Sequence, residues 1–166
     1  TGEYSIILPG GKKYGFLASA DGYISVNENL DLKNIKNYNE VNRDLLLAPI
    51  EKGQIIRINN IFFDFNQYEL LPESFSELAR ILILLQNNPL LKIQIHGHTD
   101  DIGNDAFNKN LSLKRAESVF NYLLHNNISK SRISIKGFGK SKPLVKNDTE
   151  DGRSKNRRVE FVIIEK

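Results

Sequence analysis

The sequence predicts an α+β fold: a β-α-β-α-β-β mixed sheet with helices on one face, preceded by a small partial β-sandwich-like module. Three observations carry that prediction. Two stretches, 72–87 and 112–125, repeat apolar residues at helical spacing. Short apolar or alternating runs at 55–65, 92–98, 132–136 and 157–164 lie before, between and after them. Residues 1–50 carry only brief apolar runs separated by glycine-containing turns, which places them in a unit of their own.

Within residues 1–50, strands are expected over 2–8, 14–18, 23–26 and 45–50. Pro9-Gly-Gly-Lys12 and Asp21-Gly22 supply the turns between them. Residues 33–43 are polar, rich in asparagine and without periodicity, so they read as a loop. Pro49 lacks an amide hydrogen and fits only a sheet edge. The unit reads as a partial β-module or spacer over 1–50, with a boundary at Glu51-Lys-Gly-Gln54 and a second domain over 55–166.

That second domain opens on Ile55-Ile-Arg-Ile58 and Ile61-Phe-Phe-Asp-Phe65, read as one central strand. Pro72 suits a first helical position and Ser74-x-x-Glu77 is a capping box. Phe75, Leu78, Ala79, Leu82 and Leu85 then recur at helical spacing until Asn87-Asn-Pro89 stops the helix. Lys92–His98 is the next strand. The second helix spans Ser112–His125, with Ala116, Val119, Phe120 and Leu123 turned inward. Residues 132–136 form a third strand, 137–153 are mostly loop, and the last strand alternates through Ile164.

Composition excludes several classes. A chain of 166 residues accommodates one good core, or one domain beside a smaller one. The net charge of +3 is dispersed except in Arg153-Ser-Lys-Asn-Arg-Arg158, so no broad nucleic-acid footprint is expected. Without cysteine there are no disulfides and no thiolate metal sites, and the compartment stays open. No apolar run approaches the roughly 20 residues that cross a bilayer. The chain lacks a secretory signal and any methionine, and reads as a fragment or processed product. No Gly-x-Ser-x-Gly elbow or phosphate-binding loop is present, and no catalytic residues or cofactors are expected.

The chemistry concentrates where the strand ending in His96-Gly-His-Thr-Asp100 breaks into a loop and the helix carrying Arg115 begins. An anion and a cation on neighbouring rigid elements can grip a ligand bearing both an ammonium and a carboxylate. Asp100 and Arg115 can equally neutralise each other, and the residues alone leave both readings open.

Phe62-Phe-Asp-Phe65, Gly97-His-Thr-Asp100-x-x-Gly103, Asn108-x-x-Leu111-Ser-x-x-Arg115-Ala116, Gly137-Phe-Gly139…Pro143 and Asn156-Arg-Arg-Val159 follow one another in the order and spacing of a known family. Over about residues 57–166 the chain resembles the OmpA-like peptidoglycan-binding domain, whose family includes the peptidoglycan-associated lipoproteins. Residues 2–50 more weakly resemble the second half of a carboxypeptidase-regulatory-like β-sandwich, from Gly-x-Tyr…Leu-Pro-x-Gly…Tyr…Gly-Tyr. The combination is similar to multidomain envelope proteins of Bacteroidetes-type bacteria, some tied to a secretion apparatus.

The resemblance implies a non-catalytic, periplasmic, outer-membrane-associated anchor that binds the meso-diaminopimelate side chain of the peptidoglycan stem peptide. It implies envelope protein partners through upstream domains, contact with the membrane only through an anchor outside this sequence, and no nucleic acid. By position, Asp100 accepts from the ligand ammonium and Arg115 binds its carboxylate through the planar guanidinium. Phe65, Asn66, Thr99, Asn108 and Leu111 fall on positions that line or contact the ligand, in a shallow cleft. Asn66 stands where many members carry a second aspartate, and Phe107 where tyrosine is common. Asn108 also suits a loop or cap role.

Two alternatives accompany this reading. His96-x-His98-x-Asp100 places metal-ligand side chains at alternate positions, as a metal-dependent hydrolase requires, but lacks a fourth ligand. A module that binds only other proteins is the second. The Asn156-Arg157-Arg158 cluster could grip phosphate or glycan, but reads as a pin for the last strand and its preceding loop, with Arg157 on the strand face of Val159, Phe161 and Ile163, and Arg153 and Lys155 as solvated side chains.

Overall fold

The computed structural model describes residues 3–58, 61, 63 and 66–166, which fall into two compact units, Thr1–Ile50 and Glu51–Lys166. In the first unit, β1 (Lys13–Ala18) pairs antiparallel with β3 (Val26–Asp31), and β2 (Tyr23–Ile24) with β4 (Ala48–Pro49). Gly11 N donates to Leu32 O and Leu32 N to Lys12 O, both at 2.8 Å, closing the far end of the first pair. The strand expected over 2–8 is not formed in its described part, 3–8. Lys13–Ala18 takes Val26–Asp31 as its partner instead. Two short pairs do not establish the resemblance to a carboxypeptidase-regulatory-like sandwich.

The second unit contains β5 (Ile55–Ile58), α1 (Phe75–Asn87), β6 (Lys92–His98), α2 (Asp105–His125), β7 (Ile133–Gly139), α3 (Glu150–Asn156) and β8 (Val159–Glu165). Its sheet runs β5-β8-β6-β7, with β6 and β7 parallel and the other neighbours antiparallel, so the architecture is the mixed α+β one expected. One strand was misplaced. Ile55–Ile58 is an edge, not the centre, because β8 returns from the far end of the chain and inserts beside it. The expected continuation over 61–65 lies mostly outside the described residues, and Phe65 is among those not described. Phe63 makes an isolated antiparallel bridge to Leu70.

Strand alternation separates the sheet's two faces. Ile93 and Ile95 on β6, with Val159, Phe161 and Ile163 on β8, are fully buried, as are Leu78, Ile81 and Leu85 of α1 and Ala116, Val119 and Leu123 of α2. The buried stripe of α1 therefore includes Ile81 rather than Leu82, while Phe75 remains partly exposed and stacks on Tyr122 of α2 at 5.6 Å. The capping box is not formed. Ser74 ends a 3-10 turn begun by Pro72 and makes no side-chain cap, and Glu77 pairs with Arg80 at 2.8 Å.

Glycine brings α2 close to the sheet. A Cβ on Gly97 would lie 1.9 Å from Ser112 O, and one on Gly137 would lie 2.7 Å from Leu113 N. Gly97 thus serves the strand–helix approach. Helix α2 begins seven residues earlier than Ser112, capped by Asn104, whose side chain accepts from Phe107 N at 2.8 Å. Arg115 consequently lies in its third turn, not its first.

Candidate functional site

Strand β6 delivers the chain to the site at His98. Thr99 N donates to Gly139 O at 3.0 Å, and the Thr99 hydroxyl donates to Asp100 O at 2.9 Å. Asp100 then folds the loop around its own side chain, its Oδ1 accepting from Ile102 N at 3.1 Å. Gly103 follows with φ +97°, a conformation that favours glycine. Asn108, fully buried on α2, donates from Nδ2 to Ile102 O at 3.0 Å. Its role is to hold the Asp100 loop. Lys140 braces the same loop from outside, through Gly103 O at 3.1 Å and Asp105 at 2.9 Å.

Asp100 and Arg115 do not pair with each other. Asp100 Oδ2 accepts from Arg157 Nη1 at 2.8 Å, and Arg157 Nη2 donates to Glu150 Oε1 at 2.6 Å. Burial lowers the Arg157 pKa, but its hydrogen bonds to Asp100 and Glu150 outweigh that and raise it. Glu150 is held below the usual carboxylate range, first by the Arg157 hydrogen bond and then by that of Arg153. Arg157 follows α3 directly and lies outside β8, so the strand face assigned to it from alternation is incorrect.

Arg115 reaches the same place from α2. Its Nε donates to Gln67 O at 3.1 Å, and its guanidinium lies 4.9 Å from the Phe63 ring centre. Among the described residues no carboxylate lies within ion-pairing distance of it. Burial pushes its pKa down to about 10, the charge of Arg157 pushes the same way, and Asp100 opposes both. The group stays cationic at neutral pH, at an electrostatic cost that an incoming anion relieves.

Asp100 is 8% exposed and Arg115 4%, so the charges lie below the surface rather than in the shallow cleft expected. The side chain of Arg157, 33% exposed, is the solvent-facing member of the group. Leu111 and Thr99 are buried next to these elements, and Asn66 is exposed with φ 56°. Phe107 is partly exposed on the first turn of α2. Asn156, fully buried, accepts from Leu144 N at 2.7 Å and Val145 N at 3.2 Å and donates to Val145 O and Asn147 Oδ1 at 2.8 Å. It is a pin for the 144–147 loop. Arg153 and Lys155 are not merely solvated: Arg153 bonds to Glu150 and Asn147 O at 3.0 Å, and Lys155 to Asp151 at 2.5 Å.

The third member of the expected histidine cluster also changes. Asp100, beyond the end of β6, turns its carboxylate to Arg157 and Ile102 N. Among the described residues the group able to converge on a metal is His96, His98 and Glu160. Glu160 was missed because it comes from β8, opposite His96 in register.

The OmpA family matches residues 62–157, a span holding β6, α2 and both charged groups of the site. The chain is 37% identical over 114 residues to outer membrane porin F of Pseudomonas fluorescens, covering 68% of this chain but 34% of that protein. It is 32% identical over 140 residues to the peptidoglycan-associated lipoprotein of Buchnera aphidicola subsp. Baizongia pistaciae, covering 84% and 78%. Among solved structures it resembles the cell wall anchor of the T6SS from Pseudomonas aeruginosa, at 26% identity and a TM-score of 0.57 over 68% of this chain and 80% of that one. With a family match over more than half its length, the chain belongs to the OmpA family.

Proposed function

We propose that this chain is a non-catalytic anchor that holds the peptidoglycan of the cell envelope by the diaminopimelate side chain of its stem peptide. The single observation that carries the reading is Arg115. It is a buried cation oriented by Gln67 O and Phe63, with no carboxylate partner among the described residues, beside an aspartate at the end of β6. The guanidinium fork accepts a carboxylate through two parallel hydrogen bonds, and Asp100 receives the ammonium on the same carbon. Arg157 and Ile102 N fix the carboxylate of Asp100 before the ligand arrives, which reduces the ordering cost of binding.

A relative named as a peptidoglycan-associated lipoprotein and a neighbour described as a cell wall anchor support this assignment, as they do a periplasmic, outer-membrane-associated location. No helix among the described residues is long and apolar enough to cross a membrane. Two charge-assisted contacts give modest affinity at one site, and the repeating wall supplies avidity to a tethered assembly.

Co-sedimentation with insoluble peptidoglycan tests the proposal. The wild-type chain pellets with the wall, while Asp100→Ala and Arg115→Ala remain in the supernatant. Equal pelleting of wild type and both variants would overturn it.

A further inference from the structure

Away from Asp100 and Arg115, three titratable side chains meet on the sheet face turned from α2. Gly97 and Gly137 face the helix, so His96 and His98, flanking Gly97 on β6, point to the other side. Glu160 stands directly across from His96 on β8. Glu160 Oε2 lies 3.5 Å from His98 Nε2, and one ligand atom from each of the three residues falls within 4.8 Å of the others.

His98 is the unexplained member. It is 1% exposed, yet among the described residues neither ring nitrogen has a hydrogen-bond partner. A buried polar group without a partner is costly, and such groups are rare unless something else satisfies them. The neighbours are arranged as supports. Gln94 Oε1 lies 2.7 Å from His96 Nε2, which leaves Nδ1 as the lone-pair donor. Arg158 Nε donates to Glu160 Oε1 at 2.9 Å, directing Oε2 toward His98. The β6–β7 register shifts by one residue after Gly97, and Phe138 packs flat on His98 at 5.3 Å and edgewise on His96 at 4.8 Å.

We propose that His96, His98 and Glu160 bind one divalent transition-metal ion of the zinc class, with solvent in the fourth position. Two imidazoles and a carboxylate are a common three-ligand set for zinc. Tetrahedral bonds of about 2.0–2.2 Å place ligand atoms about 3.3 Å apart, so the His98–Glu160 spacing fits and His96 closes by side-chain rotation. Lys142, Lys136 and Lys109 gather over the Phe138 ring at 4.5, 5.1 and 5.7 Å and oppose a cation, so affinity falls below that of an all-thiolate site. The ion clamps β6 to β8 immediately before the loop that presents Asp100.

The test is titration of the tag-free chain, stripped by a chelator, with zinc sulfate by calorimetry and cobalt chloride by absorption spectroscopy. One equivalent binds, with the intense visible bands of four-coordinate cobalt. His96→Ala, at a half-buried position that tolerates truncation, weakens binding at least tenfold, whereas His125→Ala, at the only other histidine, leaves it unchanged. Zinc-induced amide shifts in the unsubstituted chain centre on His98 and Glu160, which makes the test independent of how any variant folds. No uptake, uptake that survives His96→Ala or is lost in His125→Ala, or shifts centred elsewhere would each overturn the proposal.

Discussion

At the scale of single residues, Arg115 and Asp100 are unequal partners. Asp100 already has Arg157, whereas Arg115 has a carbonyl and an aromatic ring. A hydrogen bond to a charged group contributes roughly 1.5–3 kcal/mol. Asp100→Ala therefore weakens ligand binding by about ten- to a hundredfold, and Arg115→Ala at least as much. Arg115→Lys does not rescue, because an ammonium lacks the planar fork; titration calorimetry with the stem peptide checks all three. Arg157→Gln is milder. A partly exposed ion pair is worth about 0.2–1 kcal/mol, so the loss is no more than about fivefold. Asp100 and Arg115 are singled out in the sequence chiefly by the motifs around them. Nothing local announced the Asp100–Arg157 bridge, because its ends are 57 residues apart and Arg157 appeared to continue the alternation of the following strand. Asn108 shows the converse: its type suited either a ligand contact or a loop clamp, and its bond to Ile102 O supplies the clamp.

At the scale of elements, the site depends on how closely α2 approaches β6 and β7. The glycines permit that approach, so Gly97→Ala forces Ser112 away and costs about 1–3 kcal/mol or more, as overpacking does. For a chain of this size each kcal/mol lowers the melting temperature by about 2–4 °C, which calorimetry reads directly. Asn156→Ala removes four hydrogen bonds from a fully buried side chain to the 144–147 loop and destabilises that loop; Leu144 and Val145 amides then lose protection in hydrogen exchange. The strands β6, β7 and β8 were readable from apolar alternation. Helix α3 was not, because Gly152 interrupts it and its remaining residues are almost all polar, so no periodicity marks it. Its signal was Thr149, whose hydroxyl accepts from Gly152 N at 3.1 Å. The start of α2 was equally hidden, since the polar turn from Asp105 to Asn110 shows no apolar stripe and only the Asn104 cap marks its beginning.

At the scale of the whole molecule, every residue of the proposed clamp belongs to Glu51–Lys166. A fragment of residues 51–166 is expected to bind the wall component with the affinity of the full chain; a loss of tenfold or more would make the N-terminal unit part of the site. That division was legible because the turn-rich segment and the helix-bearing segment differ in pattern. The position of β5 was not, because a strand that enters early and is paired late gives no local sign of being an edge. The most direct measurement is an amide-shift titration of the labelled chain with two stem peptides, one carrying meso-diaminopimelate and the other lysine, which lacks the second carboxylate. The account predicts saturable shifts at Asp100, Ile102, Gly103 and Gln67 with the diaminopimelate peptide and none approaching saturation with the lysine peptide. Equal responses to both, or no response around Asp100, would contradict it.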